Sequence, residues 1–300
     1  MQIPEIPNLI HYAIPFFAAT VILEVILTVK IKLEDYEYKD AGTSILMGLG
    51  NVAIGLLTKG IALGLFYLLY NFYHLFEIPF AWWSWMILLF AEDFCYYWFH
   101  RISHESRFFW ASHVVHHSSK KYNLSTALRQ TWSGGFYTFI FWTPLIILGF
   151  HPVMVLVQMS VSLIYQYWIH TEMIRKMPKW FELIFNTPSH HRVHHATNPQ
   201  YLDRNHAGIF IIWDRFFGTF EPEVEKPVYG LVKNIDTYNP LKIAFTEWYM
   251  MLKDFITVKT SVVNRFKYLI KPPGWRHDEG SVLSSDLRKE WEESNEANVS

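Results

Sequence analysis

Apolar positions in this chain come in long blocks rather than at the spacing of a soluble amphipathic helix, and five such blocks stand out. Blocks of this kind belong to segments that meet lipid on every side. Residues 9–29 are enough to cross a bilayer. Block 42–73 exceeds the roughly 20 residues that one perpendicular span needs. Lys59 interrupts it, so it is expected to tilt, bend or begin outside the hydrocarbon. Block 80–100 is the third. Blocks 134–149 and 153–167 flank the turn Gly149-Phe150-His151-Pro152 and read as a helical hairpin dipping into or through the membrane.

The mixed stretch 171–272 reads as a cap. Within it Leu241, Phe245, Trp248, Leu252 and Phe255 recur at helical spacing, with Lys242 and Lys253 off that face. They predict a helix that packs on the cap or lies at the membrane interface. The acidic, Ser-rich stretch 278–300 reads as a mobile tail. No internal repeat is visible. The expected fold is an all-α integral membrane protein with about four to five membrane helices and a cytoplasmic helical cap. Its parts are N-terminal membrane helices (1–79), a catalytic domain (80–222), a helical extension (223–277) and the tail.

Charge sharpens this picture. A net charge of −1 leaves no electrostatic footprint for nucleic acid. Segments 1–8, 74–79 and 149–152 hold no Lys or Arg, whereas Lys30, Lys32, Lys39, Arg101, Arg107, Lys120 and Lys121 fall on the opposite side. The positive-inside rule then puts the cap in the cytoplasm. Without a basic start, the first block reads as a retained helix rather than a cleaved signal. The single Cys95 excludes an intramolecular disulfide.

The candidate chemistry is histidine. Three clusters follow apolar blocks: His100 with His104; His113, His116 and His117; His191, His194 and His195. Members spaced by three or four share one face of a helix. The charge pattern puts all three clusters on one side. Neutral imidazole is the commonest nitrogen ligand of first-row metals. So many are too many for one tetrahedral ion and suit a dinuclear iron centre with open positions. His170, at the end of the fifth block, is a further ligand candidate. Asp93, costly inside a span unless partnered, is a candidate to orient an imidazole, and Glu105 and Glu172 are others. Pairing with Arg101 or Arg107 explains these carboxylates equally well. His190 falls off the face, and His11, His74, His151, His206 and His277 read as ordinary surface residues. There is no Glu-x-x-His pair of soluble di-iron bundles and no zinc-protease His-Glu-x-x-His, so the ligand set is almost purely nitrogen.

These boxes, with Tyr122-Asn-Leu-Ser-Thr-Ala-Leu-Arg-Gln130, Asn186-Thr-Pro-Ser-His-His-Arg-Val-His-His195 and Ile211-Ile-Trp-Asp-Arg-Phe-Phe-Gly-Thr-Phe220, resemble the fatty acid hydroxylase/sterol desaturase superfamily. The likeness runs from about Tyr96 to about Pro240 and is closest to the branch that cleaves alkylglycerol ethers, whose animal members are expected to extend further at the C-terminus. It implies a membrane-bound non-haem di-iron monooxygenase using O2 on a bilayer lipid. Electrons would come from a tetrahydropterin or a separate electron-transfer protein, since the chain has no Gly-x-Gly-x-x-Gly. Sterol, carotenoid or fatty acyl substrates stay open. So does a non-enzymatic haem or metal carrier, although histidines in consecutive turns outside the spans fit that poorly.

Overall fold

The computed structural model describes residues 9–30 and 36–299. Segment 1–8, Lys32 and the side chain of His11 lie outside the described residues. The described chain is all-helical: α1 (Leu9–Lys30), α2 (Tyr38–Tyr73), α3 (Trp82–Glu105), α4 (Arg107–His117), α5 (Thr143–Leu148), α6 (Pro152–Trp168), α7 (Lys179–Ile184), α8 (Pro188–His194), α9 (Ile212–Phe217), α10 (Pro240–Thr257), α11 (Val262–Ile270) and α12 (Ser284–Val299).

Among the described residues, α1 and α2 are the two helices long and apolar enough to cross a membrane. Length and composition do not single out the other expected spans. α3 carries Glu92 and Asp93 at its middle, and the hairpin arms are a helix of 6 residues preceded by 3-10 turns and one of 17 residues. α2 is one continuous helix of 36 residues. At about 1.5 Å per residue it is longer than a bilayer's hydrocarbon of about 30 Å, and its first turns are buried against the 118–132 segment, where Asp40 accepts from Ser119 and Arg129. Lys59 is exposed and leaves the helix unbroken.

A core of Phe66, Leu88, Trp142, Leu145, Ile146 and Met154 joins α2, α3, α5 and α6. At one end of this bundle the two linkers without Lys or Arg meet. Leu75 N–H donates to the Ile147 carbonyl at 2.8 Å. Gly149 sits at φ +110° against the Phe76 carbonyl, where a Cβ would overlap the oxygen. α6 restarts with Pro152 in its first turn and the His151 ring accepting from Val153 N–H. The opposite end carries the cap, and there Glu24 of α1 accepts from Thr171 and from Leu124 N–H.

One expectation needs correction, and the α10 stripe is divided: Trp248 and Phe255 are half-buried and Leu241, Phe245 and Leu252 are exposed, while Ile243, Ala244 and Met251 are inside. Arg107 at the start of α4 decides this, because it grips Glu247 and Asp254 at 2.7 Å each and so rotates the 243/247/251/254 side inward. The stretch read as a mobile tail contains α12, whose Arg288 donates to the Leu202 carbonyl at 2.7 Å.

Candidate metal centre

Each box rests on a separate short helix, and the breaks between helices aim them at one another. α3 brings His100 and His104 on successive turns. The chain extends at Ser106 (φ −132°, ψ 123°) and α4 restarts in a new direction with His113, His116 and His117. His170 follows α6. α8, opened by Pro188, brings His191 and His194, and His195 caps it. All nine candidates fall into two groups. His100, His104, His113, His117 and His194 form one; His116, His170, His191 and His195 form the other. Within each, one nitrogen per ring lies within 4.8 Å of every other. The groups share a wall, where the rings of His117 and His195 stack at 4.4 Å between centroids.

The boxes do not map one to one onto the groups. α4 gives His113 and His117, four residues apart, to the first group and His116 to the second. α8 gives His194 to the first and the i, i+4 pair His191 and His195 to the second. This follows from helical geometry, because neighbours at i and i+1 diverge by about 100° and face different partners.

Backbone carbonyls choose the ring nitrogen that faces inward. Nδ1–H donates from His100 to the His206 carbonyl (2.7 Å), from His170 to Gln166 (2.7 Å), from His194 to Arg204 (2.9 Å) and, more loosely, from His116 to Arg129 (3.3 Å). His104 Nδ1 meets Asp203 Oδ1 at 3.1 Å. The four rings of His100, His116, His170 and His194, held by carbonyls and kept unprotonated by burial, are neutral tautomers with a bare Nε2. His116 and His170 bring two such Nε2 atoms to 3.1 Å, and His104 Nε2 is buried with no hydrogen-bond partner. Lone pairs facing each other repel, so the arrangement calls for a cation between them. Imidazole–metal bonds of about 2.1 Å at right angles put neighbouring nitrogens about 3.0 Å apart. The Nε2–Nε2 contacts, from 2.9 Å (His100–His113) to 3.2 Å (His191–His195), match that edge. Burial holds His113, His117, His191, His194 and His195 well below the ordinary imidazole value and His116 down to about 4, so they stay unprotonated at neutral pH. The residues fit metal ions, and the two clusters are able to bind them.

The candidate carboxylates pair with backbone N–H groups, an arginine and a tyrosine. Asp93 touches no imidazole. It accepts from Ile209 N–H (2.6 Å), Phe210 N–H (2.9 Å) and Trp213 Nε1–H (3.0 Å), anchoring the loop whose His206 carbonyl holds His100. Gly208 permits this approach, since a Cβ there would lie 2.7 Å from Asp93 Oδ1. Glu105 is half-exposed and paired with Arg101 at 2.8 Å, remote from the imidazole hydrogen bonds. Glu172 accepts from Tyr229, whose ring stacks on Tyr122, and Tyr122 in turn lies on His170. His190 is buried outside both groups, against Phe220. His206 corrects the surface reading: it is buried, its ring 5.1 Å from that of His104.

Sequence reasoning missed the residues that hold this loop. Buried Asp214 accepts from His206 N–H and Ala207 N–H at 2.7 and 2.8 Å, and burial raises its carboxyl to about 6. Asp203 and Asn205 sit at φ +52° and +56°, a left-handed turn that Asp and Asn tolerate. The buried Arg129–Asp40 pair, at 3.0 Å, ties the His116 acceptor to α2. Arg129 and Asp214 sit inside motifs that carry the resemblance, but no periodicity gives them this role, and the Asn/Asp-rich run 203–205 signals only a turn.

Residues 85–219 match the fatty acid hydroxylase family model. The chain is 41% identical over 273 residues to alkylglycerol monooxygenase of Homo sapiens, covering 90% of this chain and 61% of that protein. It is 39% identical over 275 residues to the Danio rerio enzyme of the same name (91% and 61%) and 37% identical over 275 residues to that of Xenopus tropicalis (91% and 61%). The chain thus spans 61% of the length of these curated relatives. No solved structure matches it.

Proposed function

Residues 85–219 belong to the fatty acid hydroxylase family, and from that premise we propose a membrane-bound, non-haem di-iron monooxygenase that inserts oxygen into a lipid C–H bond. The observation that carries this reading is the pair of adjoining all-imidazole groups with bare Nε2 atoms turned inward. His100, His104, His113, His117 and His194 would hold one iron and His116, His170, His191 and His195 a second, and the pair would supply the activation of O2. The balance is C–H plus O2, two electrons and two protons giving C–OH and water. The electrons come from outside the chain, from a tetrahydropterin or an electron-transfer protein.

The chain's own residues set the stage. Carbonyls of Gln166, Arg129, Arg204 and His206 fix the imidazoles, and Asp93 and Asp214 fix the loop carrying two of those carbonyls. The similarity to alkylglycerol monooxygenases supports an ether lipid as substrate. Hydroxylation beside an ether oxygen gives a hemiacetal, which falls apart to an aldehyde and a free alcohol. The two long apolar helices support a multi-pass membrane location, and the Lys and Arg distribution supports a cytoplasmic metal centre. A haem carrier fits less well: ring centroids 4.3–4.9 Å apart, as for His100–His194 and His113–His117, leave no room for a macrocycle between them.

Detergent-purified protein is expected to carry about two non-haem irons per chain and no Soret band. Given a tetrahydropterin and an alkylglycerol, it should release an aldehyde. His116→Ala or His194→Ala should abolish release while the protein stays membrane-inserted. Metal-free protein, a Soret band or full activity of either variant overturns the reading. Turnover of a sterol or acyl chain in place of the ether would move the substrate within the same chemistry.

A further inference from the structure

The family match ends at residue 219, yet a cavity of about 930 Å³ beside the five-histidine group is lined largely by chain beyond that point. His104, His117 and Trp110 lie on its inner side. Residues 230–237, Met250 of α10 and Tyr268 of α11 form much of the outer side. α10 and α11 therefore stand between the cavity and whatever lies outside.

What lies outside is legible in their other faces. α10 exposes Leu241, Phe245, Leu252 and Ile256, and α11 exposes Val262, Val263, Phe266 and Ile270. A patch this apolar and continuous is an interaction surface rather than a water-facing one. Two observations name the occupant. From 255 to 276 the chain carries Lys259, Arg265, Lys267, Lys271 and Arg276 and no Asp or Glu. A short helix that is apolar on one side and basic overall suits the headgroup layer of an anionic leaflet. The patch also continues onto α2: Ile243 and Ala244 pack with Met47, and outward-facing Leu46, Leu49 and Val52 follow along that long apolar helix.

We infer that α10 and α11 lie in the headgroup layer of an anionic membrane and form the wall through which a lipid chain passes from the bilayer to the cavity at His104. The inference rests on the membrane location proposed above and deepens it: access is governed by residues 230–287, outside the matched domain. Arg107 is the latch in this arrangement, since it holds α10 through Glu247 and Asp254 and its N–H holds the end of α11 at the Lys271 carbonyl.

The test uses the full chain in nanodiscs of mixed neutral and anionic lipid, with Cys95→Ala removing the lone native thiol. A fluorophore is placed at Phe266→Cys, at Val263→Cys as a second outer site, or at Met250→Cys in the cavity wall. Quenchers are nitroxides on lipid acyl chains or in the aqueous phase. Both the outer labels and the cavity label should be quenched by the acyl-chain nitroxide. Lys259→Gln with Lys271→Gln should reduce outer-label quenching about twofold in anionic discs. Outer labels quenched only from water overturn the inference, and so does a cavity label that lipid nitroxide never reaches. No turnover is measured, so failure here leaves the monooxygenase reading standing, and failure of that reading leaves these signals unchanged.

Discussion

An imidazole can meet a metal with either ring nitrogen, and in this protein acceptors fixed in the backbone make the choice. The carboxylates matter one step further out. Asp93 satisfies three buried donors with two oxygens. Asp93→Asn turns one acceptor into a donor facing N–H groups, which should cost on the order of 3 kcal/mol and loosen the His206 carbonyl from His100. Thermal unfolding and iron content of the purified variant check this; an unchanged melting temperature with full iron would refute it. Glu105→Gln is the contrast. An exposed i, i+4 partner of Arg101 should change stability by no more than about 0.5 kcal/mol and leave the metal content intact.

Between elements, the division of the second and third boxes across two groups has a measurable consequence. His116 and His117 are adjacent in sequence but belong to different groups. The four-histidine group has no imidazole to spare, so His195→Ala should lower bound iron from about two per chain toward about one. The five-histidine group keeps four nitrogens after His104→Ala, which should retain nearly all its metal. Equal loss in both variants would mean that the boxes, rather than the groups, are the binding units. Sequence spacing could show that the members of a box share a helix. It could not show how α4 and α8 are turned toward each other, because that depends on the break at Ser106 and on the Thr187-Pro188 start of α8.

For the molecule as a whole, many buried neutral imidazoles make the metal-free state acid-sensitive. Their folded-state values are depressed, so the unfolded chain binds protons that the folded chain refuses. Stability is then fully present above about 6.5 and is lost as pH falls. His116, held down to about 4 by burial, accounts for on the order of 3 kcal/mol across that window. After chelation, the melting temperature should drop steadily from pH 7 to about 5. A flat profile would mean that the rings are solvated or charged in the folded state.

The chain's pattern alone determined a good deal. Long apolar blocks do not tolerate water, so all-helical segments followed from composition, and repeated imidazoles at three- and four-residue spacing marked a nitrogen-rich metal centre. The two linkers lacking Lys and Arg do meet at one end of the bundle, where His74 and His151 also lie but none of the grouped histidines does. Tertiary structure decided what local pattern cannot encode. It split the candidate ligands between two groups, buried His206, gave Asp93 a loop rather than an imidazole, and set which residues of α10 are inside. Each of these depends on a partner distant in the chain: Ile209 for Asp93, Arg107 for α10. Periodicity reports which side of a helix is apolar. Which side is buried is settled by the charges and carbonyls that folding brings beside it.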